Sequence, residues 1–232
     1  MVYRRSSLRR WLSFALMATL KLFSQLCYRG RPTWLGTEPP EALGEVRLVV
    51  FLNHTSLFEP LLIRMAPWHF VWSLAHKVII PGADVTLMRP MTGRLLKWLL
   101  PGVIPITRQK DESWQHFLQQ VDDQAITAIL PEGRMKRANG LDKHGNPMTV
   151  RGGVADILER LDKGKMLFVY SGGLHHVQTP GERLPRLFKT LSANLEILPI
   201  QRYKANIEKR PEGSFKAKVM ADMNQRLTQK VP

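Results

Sequence analysis

The sequence predicts an α/β protein, in which a mixed sheet is covered by helices and preceded by an N-terminal amphipathic helix. Short runs rich in Val, Ile and Leu alternate along the chain with stretches of helical periodicity, and Gly and Pro separate them. A length of 232 residues and a hydrophobic content of 44% are sufficient for one sizeable core. We therefore expect alternating strands and helices that form a sheet covered by helices.

Strands are expected where the apolar runs are short and end at turn residues. The six predicted strands are 46–52 (VRLVVFL), 69–75 (HFVWSLA), 102–107 (GVIPIT), 125–131 (AITAILP), 166–171 (MLFVYS) and 195–200 (LEILPI). Helices are expected after Pro60 and over 93–100 (GRLLKWLL). Three further helices are predicted from apolar residues at helical spacing: Trp114, Phe117, Leu118 and Val121; Val154, Ile157, Leu158 and Leu161; Phe215, Val219, Met223 and Leu227.

Composition limits the chemistry and the partners. The single cysteine, Cys27, excludes an intrachain disulfide, so no oxidising compartment is required. A formal net charge of +15 favours an anionic partner: nucleic acid, a phospholipid surface, or a phosphorylated or acidic substrate. Charge alone does not decide among these.

The N-terminal stretch favours a membrane surface. Residues 1–37 include seven Lys or Arg and no Asp or Glu. At helical spacing, one side is apolar, with Trp11, Leu12, Ala15, Leu16, Ala18, Leu22, Phe23 and Leu26. The other side carries Arg10, Ser13, Lys21, Ser24 and Gln25, with Phe14 and Met17 intruding. Because Lys21 interrupts the apolar run, we expect a helix that lies on the membrane; a tilted span, a signal peptide and a core helix remain alternatives.

The predicted domain organisation follows from this reading. Prolines and glycines interrupt every periodic pattern between 29 and 44 (RGRPTWLGTEPPEALG), which indicates a linker. We therefore predict a basic anchor and linker over residues 1–45 and a folded domain over 46–232.

A histidine and a carboxylate stand five positions apart in FLNHTSLFEP, at 51–60. Two residues five apart on a regular helix point about 140° away from each other, so His54 and Glu59 cannot meet within one. Pro60 favours a helix that begins near Glu59, which leaves HTSLF as a turn after the strand. Glu59 could then orient His54 as a general base. The alternative is a capping box between Ser56 and Glu59 with an ordinary loop histidine.

Four segments in order carry a resemblance to a known family. NHTSLFEP, at 53–60, resembles the Asn-His-x-Ser-x-x-Asp block of the PlsC-like glycerolipid acyltransferases. GVIPITR at 102–108 is similar to their second block, and LPEGRMKR at 130–137 to their third, Pro-Glu-Gly-Thr-Arg. RGG at 151–153 stands where that family has a basic-Gly pair that opens a helix. The resemblance covers about residues 46–200.

The resemblance implies roles for individual residues. His54 would be the catalytic base and Glu59 its partner. Substrate-binding residues would be Arg108 from the second block and Glu132, Gly133 and Arg134 or Arg137 from the third. The basic members suit a phosphate because a guanidinium offers fork-shaped donors to its oxygens.

The chain departs from the family pattern at three places. Glu59 replaces the usual Asp, with a longer arm but the same acid chemistry. The Thr of the third block is missing, which leaves open whether Arg134 or Arg137 takes the place of the family arginine. DKHGNPM, at 142–148, has no counterpart.

The function that the resemblance implies is a membrane-associated O-acyltransferase of phospholipid biosynthesis. It would move a fatty acyl chain from an acyl-coenzyme A or acyl-carrier-protein thioester to a lysophospholipid-type acceptor such as lysophosphatidic acid. A lipid A precursor, a lyso-aminolipid, and a non-catalytic membrane or nucleic-acid-binding role are the alternatives.

The predicted partners are anionic membrane lipids and the acyl thioester donor, with no nucleic acid and no cofactor besides that co-substrate. The predicted location is the cytoplasmic face of the inner membrane. We expect no metal site, because the adjacent His175 and His176 have no partner at metal-ligand spacing.

Overall fold

The computed structural model describes residues 7–36, 38, 40–88, 90, 93, 102–107, 109, 111–179, 182 and 184–232. Within these ranges seven strands form one sheet in the order β1-β7-β6-β2-β5-β3-β4. The strands are β1 Arg29–Leu35, β2 Val46–Leu52, β3 Val78–Ala83, β4 Val103–Ile106, β5 Ile126–Ile129, β6 Lys165–Ser171 and β7 Thr190–Pro199. Neighbours run parallel except for β6 and β7, which are antiparallel. The predicted mixed sheet is confirmed.

Helices cover both faces of this sheet. They are α1 Ser7–Cys27, α2 Trp68–Lys77, α3 Asp84–Leu87, α4 Glu112–Leu118, α5 Gly153–Leu158, α6 Ile200–Glu208 and α7 Phe215–Gln229. Two 3-10 helices span Pro40–Glu45 and Glu59–Met65. Alternate residues of β2 point into different cores: Leu48 and Val50 pack with residues of α4, α5, α6 and α7, whereas Val49 packs with residues of α1 and α2. The fold is therefore a three-layer α/β arrangement.

Two of the secondary-structure predictions are wrong or only partly right. The stretch 69–75 is not a strand, because it lies within α2, which begins after Pro67. Its Val and aromatic residues gave it a strand-like composition. However, Phe70, Val71 and Ala75 are buried on one side of a helix. The helix expected after Pro60 is the 3-10 helix Glu59–Met65. The helix predicted over 93–100 lies outside the described residues apart from Gly93.

The prediction of an irregular linker at 29–44 is also wrong for its first half. Residues 29–35 form β1, which pairs with β7 in parallel from Arg29 opposite Thr190 to Leu35 opposite Glu196. Most of this edge strand is exposed, and Pro32 is tolerated there. Its pairing is made by backbone groups, so no apolar pattern marks it in the sequence. Whether residues 1–45 form a separate domain stays a prediction.

Helix α1 turns part of its predicted polar side toward the protein. Ser13, Lys21 and Ser24 are buried together with Met17. The Lys21 ammonium donates to the carbonyl oxygens of Arg64 and Ala66, at 2.8 Å each. Ser24 Oγ donates to the Leu61 carbonyl oxygen at 2.8 Å. These bonds join α1 to the 3-10 helix Glu59–Met65 and to Ala66, which follows it.

The opposite side of α1 exposes large apolar residues, namely Leu8, Trp11, Leu12, Leu22, Phe23 and Leu26. Among the described residues, no helix combines the length and the apolarity needed to cross a bilayer. That α1 lies on a membrane stays a prediction at this point.

Lys21 provides a test of how α1 is held. We expect Lys21→Met to lower the free energy of unfolding by about 1–3 kcal/mol, because two buried carbonyl groups would lose their donor. The measurement is the urea midpoint of the full chain in mild detergent. Gln25→Met on the exposed side of α1 is the control and should leave the midpoint unchanged. Equal midpoints for the two variants would contradict the anchoring role of Lys21.

Candidate active site

The site begins at the turn that follows β2. Asn53 adopts a left-handed conformation with φ 67°, which Asn tolerates better than most residues. Its side-chain amide donates to the carbonyl oxygen of Ser171, at the end of β6, at 2.8 Å. The chain thus leaves the sheet sharply, with His54 directly after the turn at the carboxyl end of β2. Ligands commonly bind at this edge of parallel strands.

The carboxylate of Glu59 fixes both the histidine and the turn. Its Oε2 lies 2.5 Å from His54 Nδ1. Its Oε1 accepts the backbone N–H groups of Thr55, at 2.6 Å, and Ser56, at 3.0 Å. An ionised carboxylate only accepts hydrogen bonds, so Nδ1 carries the proton and Nε2 is left to act as a base. Only part of the alternative capping box is present. Glu59 accepts the Ser56 N–H group, but Ser56 Oγ accepts the N–H of Phe58 at 3.2 Å, and Phe58, the residue before the 3-10 helix, makes no side-chain cap. Glu59 thus closes the turn and also contacts the imidazole.

Glu132 holds the same turn from the neighbouring strand. It lies just beyond β5 and its Oε1 accepts the backbone N–H groups of Asn53, at 2.6 Å, and His54, at 3.2 Å. The residue is only 2% exposed and does not line the cavity described below. The geometry thus places Glu132 beneath His54, as a support of the turn. A direct contact with substrate, as predicted, is not tested.

Both carboxylates act on the protonation of His54. Burial disfavours the imidazolium, but the charge and hydrogen bond of Glu59, together with the charge of Glu132, raise the pKa of His54 above its ordinary value of 6.5. Burial also raises the pKa of Glu132, although the N–H groups of His54 and Asn53 act in the opposite direction. The site therefore favours a proton on the imidazole, which suits a group that takes up a proton during reaction.

A cavity of about 590 Å³ opens beside this pair. His54 and Glu59 line it together with Gly133, Arg134 and Arg151. The rest of its wall is mainly apolar and comes from several elements, including Met17 and Leu20 of α1, Phe70 and Leu74 of α2, Ile80 and Gly82 of β3, and Val103 and Ile106 of β4. The volume lies in the usual range for small-molecule sites. The arrangement joins a base, a basic region and a long apolar wall.

The predicted basic residues have different positions. Arg134 lines the cavity, and its Nη1 forms an ion pair with Asp142. Arg137 is not among the lining residues; its backbone bonds to Leu141 and Gly140 in the following loop. Of these two arginines, Arg134 is the one at the cavity wall. Arg108 lies outside the described residues.

The sequence does not mark two residues of the site. Arg151 lines the cavity and packs over Gly133, where a Cβ atom would lie 3.5 Å from its Cδ. Arg151 belongs to the RGG segment, whose resemblance to the family predicts the start of a helix but no role for this side chain. Asp142, the partner of Arg134, lies in the segment without a counterpart, so no motif pointed to it.

His175 and His176 serve separate backbone contacts. The Nε2 atom of His175 bonds to the carbonyl oxygen of Lys136 at 2.8 Å, and that of His176 to Thr190 at 2.7 Å. The N–H of Lys136 in turn donates to the His54 carbonyl oxygen at 2.7 Å. His175 thus supports the segment next to His54. Over the described ranges, no group of three or more His, Cys, Asp or Glu is placed to hold a metal ion.

The protonation of His54 can be measured directly. We expect an imidazole pKa above 6.5 in the wild type, followed by NMR of the ring. Glu59→Gln removes a negative charge and a hydrogen bond from the imidazolium, so the pKa should fall. Glu159→Gln, which changes an exposed acid in the same way, should leave it unchanged. A pKa that is the same with and without the Glu59 charge would contradict this electrostatic account.

No family model and no curated protein matches the sequence. Among solved structures, the chain is similar to the 1-acyl-sn-glycerophosphate (LPA) acyltransferase PlsC from Thermotoga maritima, with a TM-score of 0.59. The similarity extends over 99% of this chain and 82% of that chain, at 14% sequence identity. At this identity the comparison establishes the architecture. The chain therefore has the α/β fold of a PlsC acyltransferase.

Proposed function

We propose that the protein is an O-acyltransferase that moves a fatty acyl chain from a thioester to the hydroxyl group of a phosphorylated lipid acceptor. The observation that carries this proposal is the His54–Glu59 pair at 2.5 Å, beside a cavity with both a basic region and an apolar wall. The similarity of fold to an acyltransferase supports the same class of reaction.

His54 and Glu59 supply the acid–base chemistry. The acceptor hydroxyl gives its proton to His54 Nε2 while its oxygen attacks the thioester carbonyl carbon. The C–S bond then breaks, and the departing sulfur takes the proton from the imidazolium. Glu59 stabilises the imidazolium through Nδ1 and keeps the ring in the productive tautomer. Acyl-coenzyme A and acyl-carrier protein both offer the required thioester.

Different parts of the cavity wall suit the acyl chain of the donor and the phosphate of the acceptor. Its apolar wall suits a fatty acyl chain, because burial of apolar surface provides affinity without directional contacts. Arg134 and Arg151 suit the phosphate of the acceptor, since guanidinium groups bind phosphate oxygens through charged hydrogen bonds. Lysophosphatidic acid, which has a phosphate and a free hydroxyl, is the acceptor that we propose.

A membrane surface is the proposed location of the reaction. The exposed apolar side of α1 and the nearby Phe188, which is 72% exposed, offer large side chains to a lipid interface. Phe188 lies next to the end of α1, where its N–H donates to the carbonyl oxygen of Cys27 at 2.7 Å. The net charge of +15 favours an anionic bilayer. The acceptor would then be drawn from the membrane on which the protein lies.

Acyl transfer tests the proposed activity. We expect His54→Ala to reduce the rate by about 10²–10⁴-fold, which is the usual contribution of general acid–base catalysis. His116→Ala, on the exposed side of α4, should retain wild-type activity. The assay supplies acyl-coenzyme A or acyl-carrier protein as donor. Acceptors are lysophosphatidic acid, glycerol 3-phosphate, a lyso-aminolipid and a lipid A precursor.

The pattern of acceptors decides between the candidate functions. Selective acylation of lysophosphatidic acid supports the proposal. Preference for an acceptor without phosphate, with Arg134→Ala unaffected, would replace it by aminolipid acylation. Equal rates for the wild type and His54→Ala would remove the catalytic assignment.

Vesicle binding tests the membrane contact. We expect Leu26→Ser, at a residue that is 82% exposed, to weaken partitioning into anionic vesicles by about 10-fold or more, because a buried large side chain contributes about 1.5–3 kcal/mol. Gln25→Ser on the same helix is the matched control and should change little. If the two variants bind vesicles equally well, α1 does not enter the lipid interface. Duplex DNA at the same salt concentration tests the nucleic-acid alternative.

A further inference from the structure

The segment Leu141–Pro147 forms a compact loop around one buried carboxylate. Leu141 and Pro147 pair in an antiparallel bridge, and the N–H of Asp142 donates to the carbonyl oxygen of Asn146 at 2.9 Å. Asp142 Oδ1 accepts the N–H groups of His144, at 2.7 Å, and Asn146, at 3.0 Å. One oxygen of the side chain is thus committed to the loop itself.

The other oxygen leaves the loop and meets Arg134. Asp142 Oδ2 accepts from Arg134 Nη1, and the Asp142 side chain is 2% exposed whereas that of Arg134 is 31% exposed. Burial opposes ionisation of Asp142. The N–H of Asn146, the Arg134 guanidinium and the N–H of His144 outweigh it and hold the pKa of Asp142 well below its ordinary range. The pair is therefore charged on both sides at neutral pH.

Arg134 keeps hydrogen-bonding capacity after this pairing. Its Nε atom is buried and has no hydrogen-bond partner within the described part of the chain. Buried donors without an acceptor are rare, and Arg134 also contributes to the cavity wall. Arg134 also has a long side chain that must be ordered when it binds a ligand. A fixed guanidinium avoids that entropic cost at the moment of binding.

Charge alone predicts the opposite effect of Asp142. A carboxylate beside an arginine reduces the positive potential and would weaken the binding of an anion. Arg151 lines the same cavity wall, and the charges of Arg134, Asp142 and Arg151 sum to a positive value. Asp156 on that wall forms an ion pair with Lys216. If neutralisation dominates, removal of the Asp142 charge will tighten anion binding. If orientation of Arg134 dominates, it will weaken anion binding. The direction of the change in affinity therefore separates the two effects.

We infer that Asp142 is a positioning residue that holds Arg134 in the orientation required to bind the acceptor phosphate. The inference rests on the proposed function only in taking a phosphate as the ligand of Arg134. It gives the segment DKHGNPM a role: the loop supplies a rigid, buried carboxylate to an arginine that would otherwise extend freely from an irregular segment.

Asp142→Asn is the informative variant. The Asn carbonyl oxygen can still accept the N–H groups of His144 and Asn146, so the loop should keep its shape. The new amide group places a donor opposite the Arg134 guanidinium and releases it. Asp162→Asn is the matched control, because that carboxylate is 82% exposed. Thermal unfolding of each variant checks that the fold is retained, and Asp142→Glu, which keeps the charge, serves as a second variant if Asp142→Asn unfolds.

The probe is glycerol 3-phosphate, whose binding is measured by calorimetry without a donor. We expect Asp142→Asn to weaken binding by about 10-fold, within the usual range of coupling between contacting residues, and Asp162→Asn to have no effect. In an Arg134→Ala background, Asp142→Asn should cause no further loss. With acyl donor present, the KM for the acceptor should rise while the KM for the donor stays constant.

Several results would overturn the inference. Equal or tighter binding by Asp142→Asn would mean that neutralisation dominates. A loss that persists in the Arg134→Ala background would mean that Asp142 acts on the fold and not through Arg134. Absence of binding by the wild type would also reject it. By contrast, Asp142-dependent phosphate binding without any acyl transfer would reject the proposed function and leave this inference standing.

Discussion

The carboxylate of Glu59 is the contact on which the site depends. One oxygen fixes the His54 ring and the other accepts two N–H groups of the turn, so the base and its backbone are held by the same group. Glu132 supports the turn from β5 through the N–H groups of Asn53 and His54. Two buried acids thus satisfy four backbone donors and at the same time favour the charged imidazolium. Structural and chemical roles are not separable at this turn.

The second constraint is that the two sides of α1 have different surroundings. On its buried side, Lys21 and Ser24 donate to carbonyl groups of the 3-10 helix Glu59–Met65 and of Ala66, which follows it. Met17 and Leu20 of the same helix line the cavity, while its other side exposes large apolar residues. A helix that meets lipid with one side and forms part of the cavity wall with the other would place the acyl site close to the bilayer.

Whether an element can be predicted from the sequence depends on the kind of interaction that stabilises it, side-chain burial or backbone pairing. Strands such as 46–52 and helices such as 215–229 were found because apolar side chains mark their buried sides. The edge strand Arg29–Leu35 was missed because backbone pairing holds it, and α2 was misread because its aromatic content resembles that of a strand. In the site, the His54–Glu59 pair was one of two interpretations of the local spacing, and the resemblance to the acyltransferase blocks favoured it. The Asp142–Arg134 pair depends on how a loop without a known motif folds back, which periodicity does not encode.

The structure also changes what can be concluded from the net charge of the chain. A net charge of +15 indicates an anionic partner only if the cations are available at the surface. Some are already engaged within the fold: Lys21, Arg47 and Arg64 donate to backbone carbonyl oxygens. Part of the positive excess therefore stabilises the fold and needs no ligand. In the proposed function, recognition of the acceptor phosphate depends on a few placed groups, and an arginine oriented by a buried carboxylate can serve that purpose better than a larger but unordered excess of charge.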